Sequence, residues 1–163
     1  MGKPDKMIVA EGAGGAAARN QCGALCWRMH GAGPEVLLIT SRDTGRWVIP
    51  KGWPIEALSA AEAAAREAWE EAGVEGALDG GSLGFFAYRK GLGPSVSVPC
   101  VVEVFALRVD RLASGYPEKG QRRRKWFSLD KAAKRVDEPE LRRLILDFEP
   151  PGGTTSKRQT TRR

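Results

Sequence analysis

Three glutamates stand in the run Arg-Glu-Ala-Trp-Glu-Glu-Ala-Gly-Val at residues 66–74: Glu67, Glu70 and Glu71, separated by steps of one, three and four. On a helix those positions crowd onto one patch, and like charges so spaced repel by about 0.2–0.5 kcal/mol per pair. A hard divalent cation bound to phosphate wants several oxygen ligands, so it turns that liability into a site. The element that must hold the patch is equally legible. Ser59 and Glu62 have the spacing of a capping box, in which each side chain satisfies a free backbone donor at the other position. Alanine, the best helix former, dominates the residues that follow, and Gly73 supplies a left-handed stop. Ala64, Ala68 and Ala72 leave one side of this helix with only methyl groups, which suits close packing on a sheet.

The 163 residues suffice for one domain with a well-buried core. No apolar run is long enough to span a membrane, and the first residues lack the apolar centre of a signal peptide, so a cytoplasmic location is expected. Cys22, Cys26 and Cys100 are an odd number with no disulfide framework, and Cys22 and Cys26 share one face of an expected strand as small hydrophobes. A single histidine, His30, argues against a Cys/His zinc site. The net charge of +6 is concentrated in two places. Lys157, Arg158, Arg162 and Arg163 lie near the C-terminus, and Arg122, Arg123, Arg124 and Lys125 form one short run. The remainder is slightly acidic, which argues against a nucleic-acid-binding face.

Composition divides the chain into a Gly/Ala-rich leader at 1–18, a folded domain at 19–149 and a disordered basic tail at 150–163. Within the domain, Cys22–Met29 and Glu35–Thr40 read as a hairpin, and Trp47–Ile49 as a short extended piece stopped by Pro50. Ser82–Lys90 and Ser95–Val109 read as longer strands around a Gly91–Pro94 turn, and Lys125–Phe127 as a short strand. Asp137 is the expected N-cap of a last helix reaching Phe148, with Leu141, Leu144, Ile145 and Phe148 on its apolar stripe. Strands and helices mixed without regular alternation predict an α+β fold with a mixed sheet between helices.

The segment Gly52–Val74 resembles the Nudix box, G-x5-E-x7-R-E-U-x-E-E-x-G-U with U a bulky aliphatic residue. Gly52, Arg66, Glu67, Glu70, Glu71, Gly73 and Val74 match in register; Leu58 stands where the first glutamate belongs and Ala68 where the first aliphatic belongs. Glu35–Gly52, Ala24–Arg28 and Lys125–Phe127 are also similar to diphosphoinositol polyphosphate phosphohydrolases, so the resemblance covers about residues 19–148. It implies a Nudix-like α/β/α sandwich, a Mg²⁺ or Mn²⁺ cofactor, and hydrolysis of a phosphoanhydride by water attack on phosphorus. The implied partner is a small-molecule polyphosphate, either a dinucleoside polyphosphate or an inositol pyrophosphate. Two alternatives stay open: a nucleoside triphosphatase that removes damaged nucleotides, and a catalytically weak domain that senses a nucleotide or RNA.

Carried over position by position, the resemblance makes Glu67 and Glu71 direct metal ligands. Glu70 binds metal or accepts the proton of the attacking water, and Arg66 orients carboxylates. In the resemblance the usual partner of Arg66 is the glutamate replaced by Leu58, and Glu62 and Glu70, four residues to either side, are the candidates to replace it. Leu58 itself fits a hydrophobic staple at the start of the helix. Glu118 lies in a loop where some family members supply a further metal-binding carboxylate. Arg19, Arg42, Lys51 and Gly52, with Arg122 and Arg124, are the substrate-binding candidates. Alternation along a strand aims only half of the 122–125 run at any one site.

Overall fold

The computed structural model describes residues 17–151 and the backbone of residues 7–9. The rest of the expected leader and all but the first two residues of the expected tail lie outside the described residues. Strands β1 (Met7–Val9), β2 (Ala17–His30), β3 (Gly33–Thr40), β4 (Trp47–Val48) and β5 (Lys51–Gly52) lead to helix α1 (Ala60–Ala72). Then come β6 (Val74–Gly93), β7 (Val96–Leu112), β8 (Arg124–Ser128), α2 (Leu129–Arg135) and α3 (Pro139–Asp147).

The sheet is mixed, in the order β4-β3-β2-β7-β6, with β1 and β5 also pairing to β2 and β8 to β3. β2 runs parallel to β7 and antiparallel to β3. Side chains alternate across β2, β3 and β7, so each strand feeds two cores. Leu25, Trp27, Val36, Leu38, Val102 and Val104 face one side, with Ala132, Ala133, Leu141 and Ile145 from α2 and α3. Cys22, Ala24, Cys26, Leu37, Ile39, Phe105 and Leu107 face the other, against Ala63, Ala64, Ala68 and Ala72 of α1. The expected α+β sandwich is therefore present, and Cys22 and Cys26 do share a buried face.

Helix α1 has the ends its sequence announces. Ser59 and Glu62 close the capping box, and Gly73 takes φ 69°, ψ 27° while its N–H donates to Trp69. Other boundaries differ from expectation, and the second helical region after the Lys125–Phe127 strand is made of two helices. β6 starts at Val74, not Ser82, because the Gly- and Asp-rich stretch still pairs with β7 through register shifts between Glu75 and Gly84. Seven residues after Ser128 form α2, whose N-cap oxygen accepts from the Lys131 N–H. The last helix is capped by Glu138 instead of Asp137, with Pro139 in the first turn, where its missing N–H costs nothing. Glu138 makes no cap hydrogen bond; its side chain, 5% exposed, pairs with Arg46 at 2.6 Å.

Candidate active site

Register brings the parts together. Cys22 of β2 pairs with Gly52 of β5, which sets the Lys51–Gly52 segment beside α1. A methyl group built on Gly52 would land on the Glu67 carboxylate, so any side chain there forces that carboxylate to shift. One turn on, the Lys51 backbone N–H donates to Glu71 Oε1 at 3.3 Å. The loop before β8 is moored to the same helix: the Glu118 N–H donates to the Glu70 carbonyl at 3.0 Å, and Tyr116 packs edge-on against Trp69. Arg122 then lies between acids, 3.4 Å from Glu71 and 3.1 Å from Glu118. At 10% and 11% exposure, Arg122 and Glu71 are nearly dry.

The electrostatics show a patch short of positive charge. Burial, followed by the charges of Glu71 and Glu70, pushes Glu67 up from 4.5 to about 8. Burial also raises Glu71, against the opposing pull of Arg122 and Lys51. Across from the acids, burial lowers Lys51 to about 8, and its ammonium sits 4.5 Å from the centre of the Tyr88 ring. The Tyr88 hydroxyl donates to Gln21 at 2.7 Å.

Acids and bases face one cleft of about 300 Å³. Of the expected site residues, Glu67, Glu71, Gly52, Lys51, Arg42 and Arg122 line it; Glu70 and Glu118 do not, and Glu118 instead accepts from Arg122. Arg42 also donates to Gln121 at 2.9 Å, tying the β3–β4 turn to the 116–123 loop. Arg19 does not line the cleft; its guanidinium lies 6.0 Å from the Trp53 ring, which does.

Two expected roles need correction. Arg124 faces inward, as alternation demands, but reaches the carbonyls of Ala72 and Ala113 at 2.6 and 2.9 Å and stacks on Tyr116. Arg122 lies in the loop before β8, whereas Arg124 is the first residue of the strand and closes the end of α1 instead of facing the cleft. Arg66 is exposed and makes no ion pair among the described residues, while the Glu62 carboxylate is engaged by the Ser59 N–H. The proposed substitute partners therefore do not hold it.

The sequence reading missed Trp53, Tyr88, Arg89 and Lys90 as lining residues, and left Arg46 out of the substrate set. Tyr88 and Lys90 share one face of β6, a parity that strand alternation would have exposed. Arg46 is held by Asp137 and Glu138 at the start of α3, with one nitrogen buried and lacking a hydrogen bond.

The donor set suits a hard cation. Among the described residues no three acids converge closely enough to hold an ion unaided. Magnesium, however, uses one or two carboxylates and completes its shell with waters and substrate phosphate. Glu67 and Glu71 offer two carboxylates, and the room beside Gly52 keeps one of them reachable from the cleft.

A carboxylate-bearing helix on a mixed sheet, opening on a cationic cleft, makes an α/β/α sandwich. The chain belongs to the Nudix family: the NUDIX domain model matches residues 19–148. Nudix hydrolase 13, mitochondrial, of Arabidopsis thaliana is 36% identical over 104 residues, covering 60% of this chain and 51% of its own length. Diphosphoinositol polyphosphate phosphohydrolase 2 of Rattus norvegicus is 30% identical over 145 residues, covering 85% of this chain and 77% of its own. This chain thus spans about half of the first relative and three quarters of the second. A solved Ap4A hydrolase of C. elegans superposes with a TM-score of 0.61 at 20% identity, covering 79% of this chain and 94% of that one. At that identity the likeness bears on the fold.

Proposed function

We propose that the chain is a metal-dependent pyrophosphohydrolase that cleaves a phosphoanhydride by water attack on phosphorus. Its substrate class is highly phosphorylated: a dinucleoside polyphosphate or an inositol pyrophosphate. One observation carries this reading. Glu67 and Glu71 of α1 and the cations Lys51, Arg42, Arg89, Lys90 and Arg122 face the same cleft. A single phosphate does not need so many cations, whereas a chain of phosphates does.

Glu67 and Glu71 would hold Mg²⁺ or Mn²⁺, with Glu118 as a further carboxylate behind Arg122. When bound, the ion offsets charge on the transferring phosphoryl group and lowers the pKa of its water. Glu70, on the same patch, accepts the proton of the attacking water at its carboxylate. Lys51 and Arg42 bind phosphate oxygens from the opposite wall. Arg122 restrains Glu71 and presents its remaining N–H groups to the substrate. The similarity to a diphosphoinositol polyphosphate phosphohydrolase supports the inositol pyrophosphate class.

Phosphate release from diadenosine tetraphosphate and from a diphosphoinositol polyphosphate, each with Mg²⁺ and with EDTA, tests the reading. Metal-dependent turnover of either is expected. Preference for a simple deoxynucleoside triphosphate over both would overturn the substrate class.

A further inference from the structure

Leu58, the residue that breaks the family motif, lines a second cavity of about 310 Å³ between the α1 approach and the β2–β7–β6 part of the sheet. Its size is within the range of small-molecule sites. Pro54, Ile55 and Leu58 form apolar walls. Phe85 stands at the same cavity with 54% of its surface exposed. A large ring so exposed beside a cavity is a platform on which a flat ligand can stack. Inside lies Glu103, half-buried on β7, reached by no hydrogen bond or ion pair among the described residues. A partly desolvated carboxylate without a donor is costly, and a ligand that donates relieves the cost.

The cavity adjoins the phosphate cleft. Gln21 lines both, and Cys22 pairs with Gly52 on one side and with Glu103 on the other. A ligand could therefore rest its phosphates among Lys51, Arg42 and Arg122 and its remaining group against Phe85 and Glu103. We propose that this cavity takes a nucleobase presenting two adjacent N–H donors to the Glu103 carboxylate, as guanine does with N1–H and N2–H₂. The Leu58 substitution then has a physical meaning: a glutamate there would put a second negative charge in an apolar wall of the base site. The inference rests on the phosphate-cleft reading above, and it selects nucleotides over inositol pyrophosphates.

The test is binding of guanosine 5′-monophosphate and inosine 5′-monophosphate in EDTA by calorimetry, which requires neither metal nor turnover. Inosine lacks the exocyclic amine, so wild-type protein should bind the guanosine nucleotide about tenfold more tightly, as expected for a hydrogen bond to a charged group. Glu103→Gln exchanges one acceptor for a donor and should bring that ratio close to one. Leu58→Arg fills the cavity from the opposite wall and should weaken both nucleotides together. Equal affinity for the two nucleotides in wild type, a ratio untouched by Glu103→Gln, or full binding by Leu58→Arg would each overturn the proposal. Nucleotide discrimination without hydrolysis would sink the enzymatic reading and leave this one standing. Hydrolysis without discrimination would do the reverse.

Discussion

Replacing Glu67 with glutamine should stabilise the metal-free protein while removing its activity. Burial and the neighbouring charges of Glu71 and Glu70 hold the Glu67 carboxyl at about 8 against an ordinary 4.5. Between those two values the folded protein binds a proton that the unfolded chain releases, so stability falls as pH rises through that window. At about 1.36 kcal/mol per pKa unit the whole displacement corresponds to about 5 kcal/mol. Glu67 is only partly buried, and solvent screening brings the expected penalty to about 1–2 kcal/mol. Glutamine keeps the shape and carries no charge, so Glu67→Gln should match wild type near pH 5 and exceed it by that amount at pH 8.5. Urea unfolding in EDTA at several pH values measures the difference. Adding Mg²⁺ at pH 8.5 should then stabilise wild type and leave the variant nearly unchanged, by mass action on the folded state. A variant less stable than wild type at pH 8.5 in EDTA, or a gap that does not grow with pH, would refute the reasoning.

Further substitutions separate the cleft from the scaffold. Gly52→Ala places a methyl group on the Glu67 carboxylate; displacement of that ligand by about 1 Å should lower kcat about 10²-fold in a turnover assay, with little change in Tm. Gly73→Ala forces a side chain into φ 69° and sets its Cβ 2.6 Å from Tyr116 Cδ1. It should cost about 1–3 kcal/mol, read as a drop of several degrees in Tm. Arg124→Met removes the donors to Ala72 and Ala113 and should cost about 2–4 kcal/mol in urea unfolding, with KM retained in the surviving folded protein. Arg122→Met should raise KM more than tenfold, because that guanidinium faces the cleft.

What could be read from the sequence was local or carried by fixed spacing. The capping box at Ser59 and Glu62, the stop at Gly73 and the acidic patch between them depend on neighbours within one helix, so the chain announces them directly. The hairpin partners of β2 and β3 follow from alternation and a turn. Parallel pairing of β2 with β7 joins residues about eighty apart, and nothing local encodes it. For the same reason Glu103 beside Cys22 was invisible. Arg124 was misassigned because alternation gives the face of a side chain and not the distance it must reach. β6 was read short because glycines at 80, 81 and 84 mark bulges as readily as turns.

Hydrolysis of diadenosine tetraphosphate in ¹⁸O-water, with Mg²⁺, by wild type and by Glu70→Gln and Glu71→Gln tests the central claim most directly. The account predicts metal-dependent turnover with the label on a phosphate product, and loss of more than about 10²-fold in both variants. Undiminished turnover in both, or the label outside phosphate, would contradict it.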